Sequence, residues 1–540
     1  MPVLTALEKG LELGTNRFPL ACGCSIVSLA EGMLMVRTAD SQNEHAAPEY
    51  DVIVIGAGFS GLGAAIRLRK EGIDNFIIIE SAHDLGGTWR DNTYPGIAVD
   101  ITSFSYSYSF EQNAFWSRIF APGQELQAYA HHCAKKYGLT PHFRFNRRVK
   151  KARFNERPHM WHVELESGET FTARYLISAT GALTQPKVPA IAGIESFRGK
   201  IMHTARWDHT HDVTNERVAV IGTGATAVQL VPTIAPRVKE LHVYQRTPIW
   251  IVPKPDREIP ALIQQLFHYV PGMQSGVRLA SGLATEMVMV FGVIYNKQLP
   301  SVAKHLEALC LGHLENQVPD PVLRNKLTPR YGFGCKRPSF SSEFYLAFNR
   351  PNVELVTDGI DHIEPTGIVT KDGRQRDIDT LICATGFQVF ERGNLPTYEL
   401  WGRDDLELGE FWDRHRYQAY EGATVPGFPN FFLVLGPYST TGASWFSMVE
   451  AQSNHALRCI LEARRRGATR IEVKQSAHDA YFAEVLKRQT HTVFYNNNCS
   501  TSRSYYFDKH GDAPFLRPAS GLELWWRSQH FPLQDYQFAS

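Results

Sequence analysis

The stretch DVIVIGAGFSG at residues 51–61 decides the fold of the first part of this chain. Five residues typical of a buried strand lead into three glycines with the G-x-G-x-x-G spacing, which are Gly56, Gly58 and Gly61. A second apolar run, FIII at residues 76–79, ends on Glu80. In a strand–helix–strand unit of this kind, the glycines let the backbone approach a pyrophosphate at the start of the helix. The residue that closes the second strand then contacts a ribose.

A second stretch of the same kind is VAVIGTGATA at residues 218–227, with loop positions Gly222, Gly224 and Ala227. Arg246 closes this unit 24 residues after Gly222, and Glu80 lies 24 residues after Gly56. A carboxylate accepts bonds from a free 2′-hydroxyl, whereas a guanidinium suits a 2′-phosphate. The two units therefore predict FAD at the first site and NADPH at the second, with hydride moving from the nicotinamide to the flavin.

The fold class predicted from these units is α/β, with two Rossmann-like dinucleotide-binding domains. Apolar strands end in Ala-Thr-Gly at 179–181 and at 384–386, where small residues permit the chain to cross between domains. The second domain is therefore predicted to be inserted into the first. Glycine-poor sequence from 256 to 332 predicts a helical subdomain, and alternating residues from 148 to 177 predict an antiparallel meander.

Several domains are expected because 540 residues exceed one ordinary core. The predicted boundaries are 1–48 for a poorly ordered N-terminal extension, 49–181 for the first part of the FAD-binding domain, 182–255 for the first part of the NADP-binding domain, 256–332 for the helical subdomain, 333–385 for the second part of the NADP-binding domain, and 386–540 for the second part of the FAD-binding domain and the C-terminal tail.

Composition argues against several classes of partner. The 56 lysines and arginines nearly cancel the 55 aspartates and glutamates, so no nucleic-acid partner is expected. The most apolar segment, 279–295, contains Glu286 and two glycines, and we predict a buried helix there and no integral membrane segment. The first 48 residues lack the pattern of a secretory signal. We expect a cytoplasmic monomer or homodimer without a metal site.

Eight cysteines are scattered along the chain, and only Cys22 and Cys24 are close in sequence. This spacing predicts free thiols in a reducing compartment, without a disulfide framework. The tail from Phe494 to Phe538 is rich in aromatic residues. We favour an interpretation in which these rings pack the tail onto the body of the protein over one in which they line a substrate site.

The stretch FRGKIMHTARWD at residues 197–208 narrows the chemistry. It resembles the signature of the type I Baeyer-Villiger monooxygenases, Phe-x-Gly-x-x-x-His-Thr-x-x-Trp followed by Pro or Asp. The matching residues are Phe197, Gly199, His203, Thr204 and Trp207. The related flavin-containing N- and S-monooxygenases usually lack the Thr-x-x-Trp ending. Further matches follow at GGTW 86–89, YPG 94–96 with Asp100, QRTP 245–248, GCKRP 334–338 and ATGF 384–387.

The resemblance implies an NADPH- and O2-dependent monooxygenase that inserts oxygen beside the carbonyl of an apolar ketone through a C4a-peroxyflavin, giving an ester or lactone. In this family a fixed cation beside the flavin keeps the peroxide deprotonated and stabilises the oxyanion of the adduct. The family pattern places that cation on Arg337 and its carboxylate partner on Asp100. Arginine suits the role because it stays protonated.

The resemblance also implies the remaining cofactor contacts and the role of the signature. Lys336 would point to the 2′-phosphate beside Arg246, and the signature histidine, His203, would couple domain movements without touching the flavin. The further cofactor-binding residues implied are Gly87, Thr88, Trp89, Asp100, Tyr106 and Thr247.

Three other functions are considered. A monooxygenase acting on nitrogen or sulfur would use the same cofactors but would not need the cation Arg337 with Asp100. A disulfide reductase requires a Cys-x-x-Cys or similar pair near the flavin, and this sequence has none. A non-enzymatic redox sensor or scaffold would explain the two glycine loops and leave Arg337 and the Thr204–Trp207 ending without a purpose.

Overall fold

The structure is a computed structural model that describes residues 47–442 and 444–540. Most of the predicted N-terminal extension, residues 1–48, lies outside the described residues, and so do Cys22 and Cys24.

The first glycine loop belongs to an eight-stranded sheet. Strand Tyr50–Ile55 lies inside it and pairs in parallel with Phe76–Ile79 and with Thr170–Ser178. The other strands are Phe143–Arg144, Val149–Asn155, Met160–Leu165, Glu399–Trp401 and Phe431–Leu433. The run from 149 to 178 forms the predicted antiparallel meander. Because Phe431–Leu433 pairs with Thr170–Ser178, the chain returns to this sheet after a long excursion.

That excursion forms a second sheet of five parallel strands around the second glycine loop. In spatial order they are Val353–Val356, Glu240–Tyr244, Arg217–Ile221, Thr380–Cys383 and Lys200–His203. Apart from Ile221 at a strand end, the Val, Ile and Leu residues of the three inner strands are fully buried, as expected when helices cover both faces of a parallel sheet. The predicted α/β fold class, with one dinucleotide-binding unit inserted into the other, is confirmed.

The chain crosses between the two sheets at the predicted Ala-Thr-Gly segments. The Lys187 amide donates to the Gly386 carbonyl at 2.8 Å, and Pro186 forms an antiparallel bridge with Phe387. The outgoing and returning crossings therefore run side by side and are hydrogen-bonded to each other.

Helices account for most of the remaining described chain. Between 256 and 332 the predicted helical region contains Ala261–Tyr269, Met273–Met289, Pro300–Gln317 and Pro321–Leu327. Elsewhere the helices are Phe59–Lys70, Thr88–Asp91, Gly123–Lys136, Ala225–Ile234, Phe344–Ala347, Leu408–His415, Trp445–Arg465, Gln475–Gln489, Val493–Asn496 and Gly521–His530. Small sheets join Ile251–Val252 with Ser339–Phe340, Ile360–Glu364 with Gly367–Thr370 and Gln375–Asp377, and Arg470–Val473 with Tyr536–Ala539.

The prediction of a buried helix at 279–295 is wrong. The continuous helix Met273–Ile294 is long and apolar enough to cross a membrane, but only 17% of its most apolar window is buried. Leu279 is 63% exposed. Val293 and Ile294 are buried at its end, but earlier in the helix the inward contacts are polar: Arg278 donates to the Ser107 carbonyl at 2.8 Å, and Glu286 accepts from the Gly521 amide. Composition shows how apolar a helix is, but its hydrogen-bonding partners decide which face turns inward.

The prediction of free thiols holds for four of the described cysteines and fails for two. Cys133, Cys310, Cys383 and Cys459 are buried and unpaired. Cys335 and Cys499, by contrast, form a disulfide across 164 residues of sequence, with their Cα atoms 5.1 Å apart. Sequence spacing did not reveal this pair because the C-terminal tail folds back onto the loop that contains Cys335.

Candidate active site

The first glycine loop has the close approaches that require glycine. Gly56 has a φ of +106°, and an added Cβ would lie 2.6 Å from the Ala179 carbonyl oxygen. At Gly61 an added Cβ would lie 1.8 Å from the Gly56 carbonyl oxygen. Helix Phe59–Lys70 starts directly after Gly58 without a side-chain cap, so its first amides remain available to an anionic ligand. The loop therefore fits the pyrophosphate of a dinucleotide.

Glu80 closes this unit with its carboxylate turned back toward the glycine loop. The side chain is buried, and its Oε2 accepts from the Ala57 amide at 2.9 Å. Its Oε1 accepts from the Ala82 amide at 2.9 Å and lies 3.2 Å from a guanidinium nitrogen of Arg90. These bonds fix the carboxylate at the end of the second strand, where the ribose of FAD is expected.

The GGTW segment at 86–89 lies across the same loop. Gly87 has a φ of +56°, and an added Cβ would lie 3.0 Å from the Gly58 Cα, so the two backbones nearly touch. Thr88 begins a short helix, and the indole nitrogen of Trp89 donates to the Tyr106 hydroxyl at 3.2 Å. Burial raises the pKa of Tyr106, which therefore keeps its proton. The structure thus brings together the cofactor residues predicted around the first loop.

The second glycine loop repeats this geometry. Gly222 has a φ of +113°, and an added Cβ would lie 2.4 Å from the Ala384 carbonyl oxygen. Gly224 directly precedes helix Ala225–Ile234, and Ala227, in the third loop position, is fully buried against the sheet.

Cations gather beyond this loop, as predicted. Arg246 is exposed and lies two residues after the strand that ends at Tyr244. Burial and, after it, the charge of Arg246 lower the pKa of Lys336 to about 8. The Thr223 hydroxyl donates to the Thr247 carbonyl at 3.1 Å, which holds the chain after Arg246 against the loop. The arrangement fits a nucleotide with a 2′-phosphate.

Asp100 and Arg337 form the predicted ion pair although they are 237 residues apart. The Nε and Nη2 atoms of Arg337 lie 3.0 Å and 2.7 Å from Oδ2 of Asp100. The carboxylate raises the pKa of Arg337, which stays charged. The two side chains keep 40% and 29% of their accessible surface, for Arg337 and Asp100 respectively, so the pair is not fully enclosed by protein.

The tail supplies residues for which the sequence favoured packing over a role at the substrate site. Tyr506 is buried, and Tyr506 and Tyr505 lie close enough to Arg337 for each to contribute to its raised pKa. The ring of Phe515 stacks on Tyr506 with a centroid distance of 5.3 Å. The sequence shows that the tail is rich in aromatic residues, but only the fold shows that Tyr505 and Tyr506 lie beside the ion pair.

A second residue missed by sequence analysis is Gln229, on the helix that follows the second glycine loop. Its Oε1 accepts from the Tyr94 hydroxyl at 2.9 Å, and its Nε2 donates to the Ala98 carbonyl at 2.9 Å. The amide therefore connects the second nucleotide unit to the segment that leads to Asp100. An isolated glutamine in a helix carries no recognisable signal in a single sequence.

The signature segment 197–208 lies at the crossings between the two sheets. Strand Lys200–His203 pairs with Thr380–Cys383, and His203 is buried with its Nδ1 accepting from the Ala205 amide at 3.1 Å. Its ring lies 6.1 Å from that of Phe387, and burial lowers the pKa of His203. An added Cβ at Gly199 would lie 2.2 Å from the Asp379 carbonyl oxygen, so this turn requires glycine.

Three further observations bear on the alternatives. In the described part of the chain, no group of three or more His, Cys, Asp or Glu side chains could hold a metal ion. The sequence profile of the family described as pyridine nucleotide-disulphide oxidoreductase matches residues 53–278, which include both glycine loops. The Cys335–Cys499 disulfide joins residues 164 apart in sequence, so it is not a Cys-x-x-Cys pair.

The chain is similar to Baeyer-Villiger monooxygenases along most of its length. One from Streptomyces coelicolor is 37% identical over 500 residues, covering 92% of this chain and 94% of that protein. One from Pseudomonas aeruginosa is 39% identical over 484 residues, covering 89% and 88%. A crystal structure of OTEMO in complex with FAD and NADP has a TM-score of 0.80 at 29% identity, covering 92% of this chain and all of that one. These relatives favour oxygen insertion at a carbonyl over N- or S-oxidation, and the chain belongs to the Baeyer-Villiger monooxygenase family.

Proposed function

We propose that the enzyme uses NADPH and O2 to insert one oxygen atom beside the carbonyl of an apolar ketone, giving an ester or lactone. The observation that carries the proposal is the Asp100–Arg337 ion pair, because a permanent and partly accessible cation suits a carbonyl oxygen that becomes negative. The test is NADPH consumption across linear, cyclic, aryl and fused-ring ketones, with the ester or lactone identified by mass. Sulfide or amine oxidation without any ester would favour the alternative, a heteroatom monooxygenase.

The two glycine loops divide the cofactors between them. The loop from Gly56 to Gly61 would hold the FAD pyrophosphate and Glu80 its ribose, while the loop at Gly222 and the cations Arg246 and Lys336 would hold NADPH. Bound flavin supplies electron transfer and the activation of O2. The protein contributes position and charge: Arg337 faces the reacting carbonyl, and Asp100 orients its guanidinium through two hydrogen bonds to one carboxylate oxygen.

The substrate is expected to be apolar because the tail places aromatic rings beside the ion pair. Tyr505, Tyr506 and Phe515 present aromatic surface beside Arg337.

We further propose the domain boundaries given above, a cytoplasmic location, and a monomer or homodimer. Light scattering after gel filtration tests the oligomeric state.

Removing the guanidinium of Arg246 should narrow the preference for NADPH over NADH. The unaltered enzyme is expected to prefer NADPH by at least about tenfold, which is the effect of one charged contact. In Arg246→Ala the KM for NADPH should rise while kcat changes little, because the contact is remote from the nicotinamide. Steady-state kinetics with both nucleotides measure this. Equal use of NADH and NADPH by the unaltered enzyme would refute the assignment of the second site.

The affinity for the 2′-phosphate should fall as pH rises through about 8. Burial and Arg246 lower the pKa of Lys336 to about that value, so the free enzyme loses this positive charge above it. The Kd of NADP+ is expected to increase on the alkaline side, whereas the Kd of NAD+ stays level. Lys336→Arg should remove the dependence because arginine remains protonated. Calorimetric titrations on both sides of the pKa provide the measurement, and a flat profile for NADP+ would contradict the role of Lys336.

His203→Ala should slow turnover without removing FAD. His203 lies in the strand that pairs with Thr380–Cys383, and its ring is beside that of Phe387. Because it contacts the crossing segments, we assign it to the coupling of domain movements. We expect a normal flavin absorbance spectrum and a reduced kcat with ester still formed. Stopped-flow reduction and product analysis separate the steps. Normal flavin reduction with complete loss of ester would place His203 in the chemistry and refute this assignment.

A further inference from the structure

The C-terminal tail is tied to the loop that contains both functional cations of the site. The disulfide joins Cys499 to Cys335, and Lys336 and Arg337 are the next two residues after Cys335. The Gly332 amide donates to the Asn498 carbonyl at 3.2 Å. Seven residues after Cys499, Tyr506 reaches Arg337. The tail segment 499–506 is therefore anchored at both ends, on either side of Lys336.

Arg503 lies between these two anchors in a backbone conformation that its residue type rarely adopts. Its φ is +47°, in the left-handed region, where a residue with a Cβ is strained. The turn that precedes it is ordered by the Ser502 hydroxyl, which donates to the Cys499 carbonyl at 2.7 Å. Strained residues that the surrounding structure holds in place concentrate at ligand sites. Arg503 lies four residues after Cys499, whose disulfide partner Cys335 directly precedes Lys336.

The electrostatics place Arg503 in the same group of cations as Arg246 and Lys336. Burial and, after it, the charge of Arg503 lower the pKa of Arg246, and Arg246 in turn contributes to the lowered pKa of Lys336. None of the three is in an ion pair with a carboxylate within residues 47–442 and 444–540. Cations held near one another without a counter-charge favour an anion between them.

We propose that Arg503 is the third cation of the NADPH 2′-phosphate site, supplied by the tail and held there by the Cys335–Cys499 disulfide. The inference rests on the proposed function, since it requires NADPH at the second glycine loop. It extends that function, because the tail then contacts the phosphate through Arg503 and the reacting centre through Tyr506. One covalently anchored segment of the tail would then contact both the group that distinguishes NADPH from NADH and the catalytic cation Arg337.

The test compares binding of NADP+ and NAD+ to the FAD-loaded enzyme by calorimetric titration. Arg503→Ala should raise the Kd of NADP+ by about tenfold, which is the effect of one charge-assisted contact, and leave the Kd of NAD+ unchanged. Arg503→Lys should retain part of the affinity. The matched control is Lys509→Ala, which removes one cation from the same tail, where Lys509 pairs with Asp413.

The disulfide is tested by Cys499→Ser together with a thiol titration of the unaltered protein. The variant should lose affinity for NADP+ while that for NAD+ is kept, because the tail is released at one anchor. Unchanged NADP+ binding in Arg503→Ala, alongside weaker binding in Arg246→Ala, would overturn this inference alone. Equal losses for both nucleotides in Arg503→Ala would also overturn it, showing a general effect of the tail. No preference for NADP+ in the unaltered enzyme would instead refute the nucleotide assignment of the proposed function.

Discussion

Arg337→Ala is expected to lower the rate of ester formation by about two to three powers of ten. The substitution removes a preorganised charge where the carbonyl oxygen becomes negative, an effect typically of about 3 to 4 kcal/mol. The first glycine loop is built from other elements, so FAD should stay bound and NADPH should still reduce it at a lower rate. Electrons should then appear in hydrogen peroxide. Parallel measurement of NADPH consumed, peroxide released and ester formed gives the fraction of NADPH oxidation that leads to ester and the fraction that leads to peroxide.

Two further variants make this result specific to Arg337. Arg337→Lys keeps a positive charge but loses the planar fork that donates twice to Asp100, so partial recovery of ester formation is expected. Asp100→Ala should mainly weaken flavin reduction and the ordering of Arg337. Ester formation by Arg337→Ala within a few-fold of the unaltered rate would remove the central residue of the proposed function.

Glu421→Gln is expected to lower the free energy of unfolding by about 3 to 5 kcal/mol, because breaking a buried ion pair leaves uncompensated charge. Glu421 is 4% exposed and accepts from Nη2 of Arg517 at 2.6 Å and from Nε of Arg527 at 2.6 Å. The Arg517 side chain is itself only 3% exposed. Urea unfolding followed by circular dichroism measures the loss. A midpoint equal to that of the unaltered protein would contradict the role of this triad.

The same variant has an expected pH dependence. Burial alone would raise the pKa of Glu421, but the charges of Arg517 and Arg527 outweigh it and lower the pKa. A carboxylate whose pKa is lowered on folding stabilises above its unfolded pKa and loses this contribution as pH falls. The difference in stability between the unaltered protein and Glu421→Gln should therefore shrink in acid. The control is Glu164→Gln, whose exposed pair with Lys150 should matter little.

Local sequence patterns predicted the two nucleotide units well, for a physical reason. A glycine loop between a strand and a helix depends on contacts made within about thirty residues, so a short stretch of sequence is enough to predict it. Gly56 and Gly222 have the positive φ values that this turn requires. Glu80 and Arg246 likewise follow directly from strand ends. The meander after residue 148 and the crossings at Ala-Thr-Gly follow from equally local patterns.

The sequence named several residues of the candidate site but missed others that the structure places there. The resemblance to a family placed Arg337 with Asp100, and the structure joins them. It did not indicate Tyr506 beside the guanidinium, Gln229 between the two units, or the disulfide that anchors the tail. These depend on contacts between segments more than one hundred residues apart, which no spacing rule describes.

The sequence by itself determined the two dinucleotide loops, the opposite charges that close them and the signature of the family. Each of these is a short-range requirement for a residue type at a fixed offset, enforced by backbone geometry or by charge. Only the tertiary structure decided which face of helix Met273–Met289 turns inward, which cysteines pair, and that the tail reaches Arg337. Those outcomes depend on which distant groups meet on folding: a buried donor or acceptor must find a partner, and two cysteines pair only where the fold brings them together.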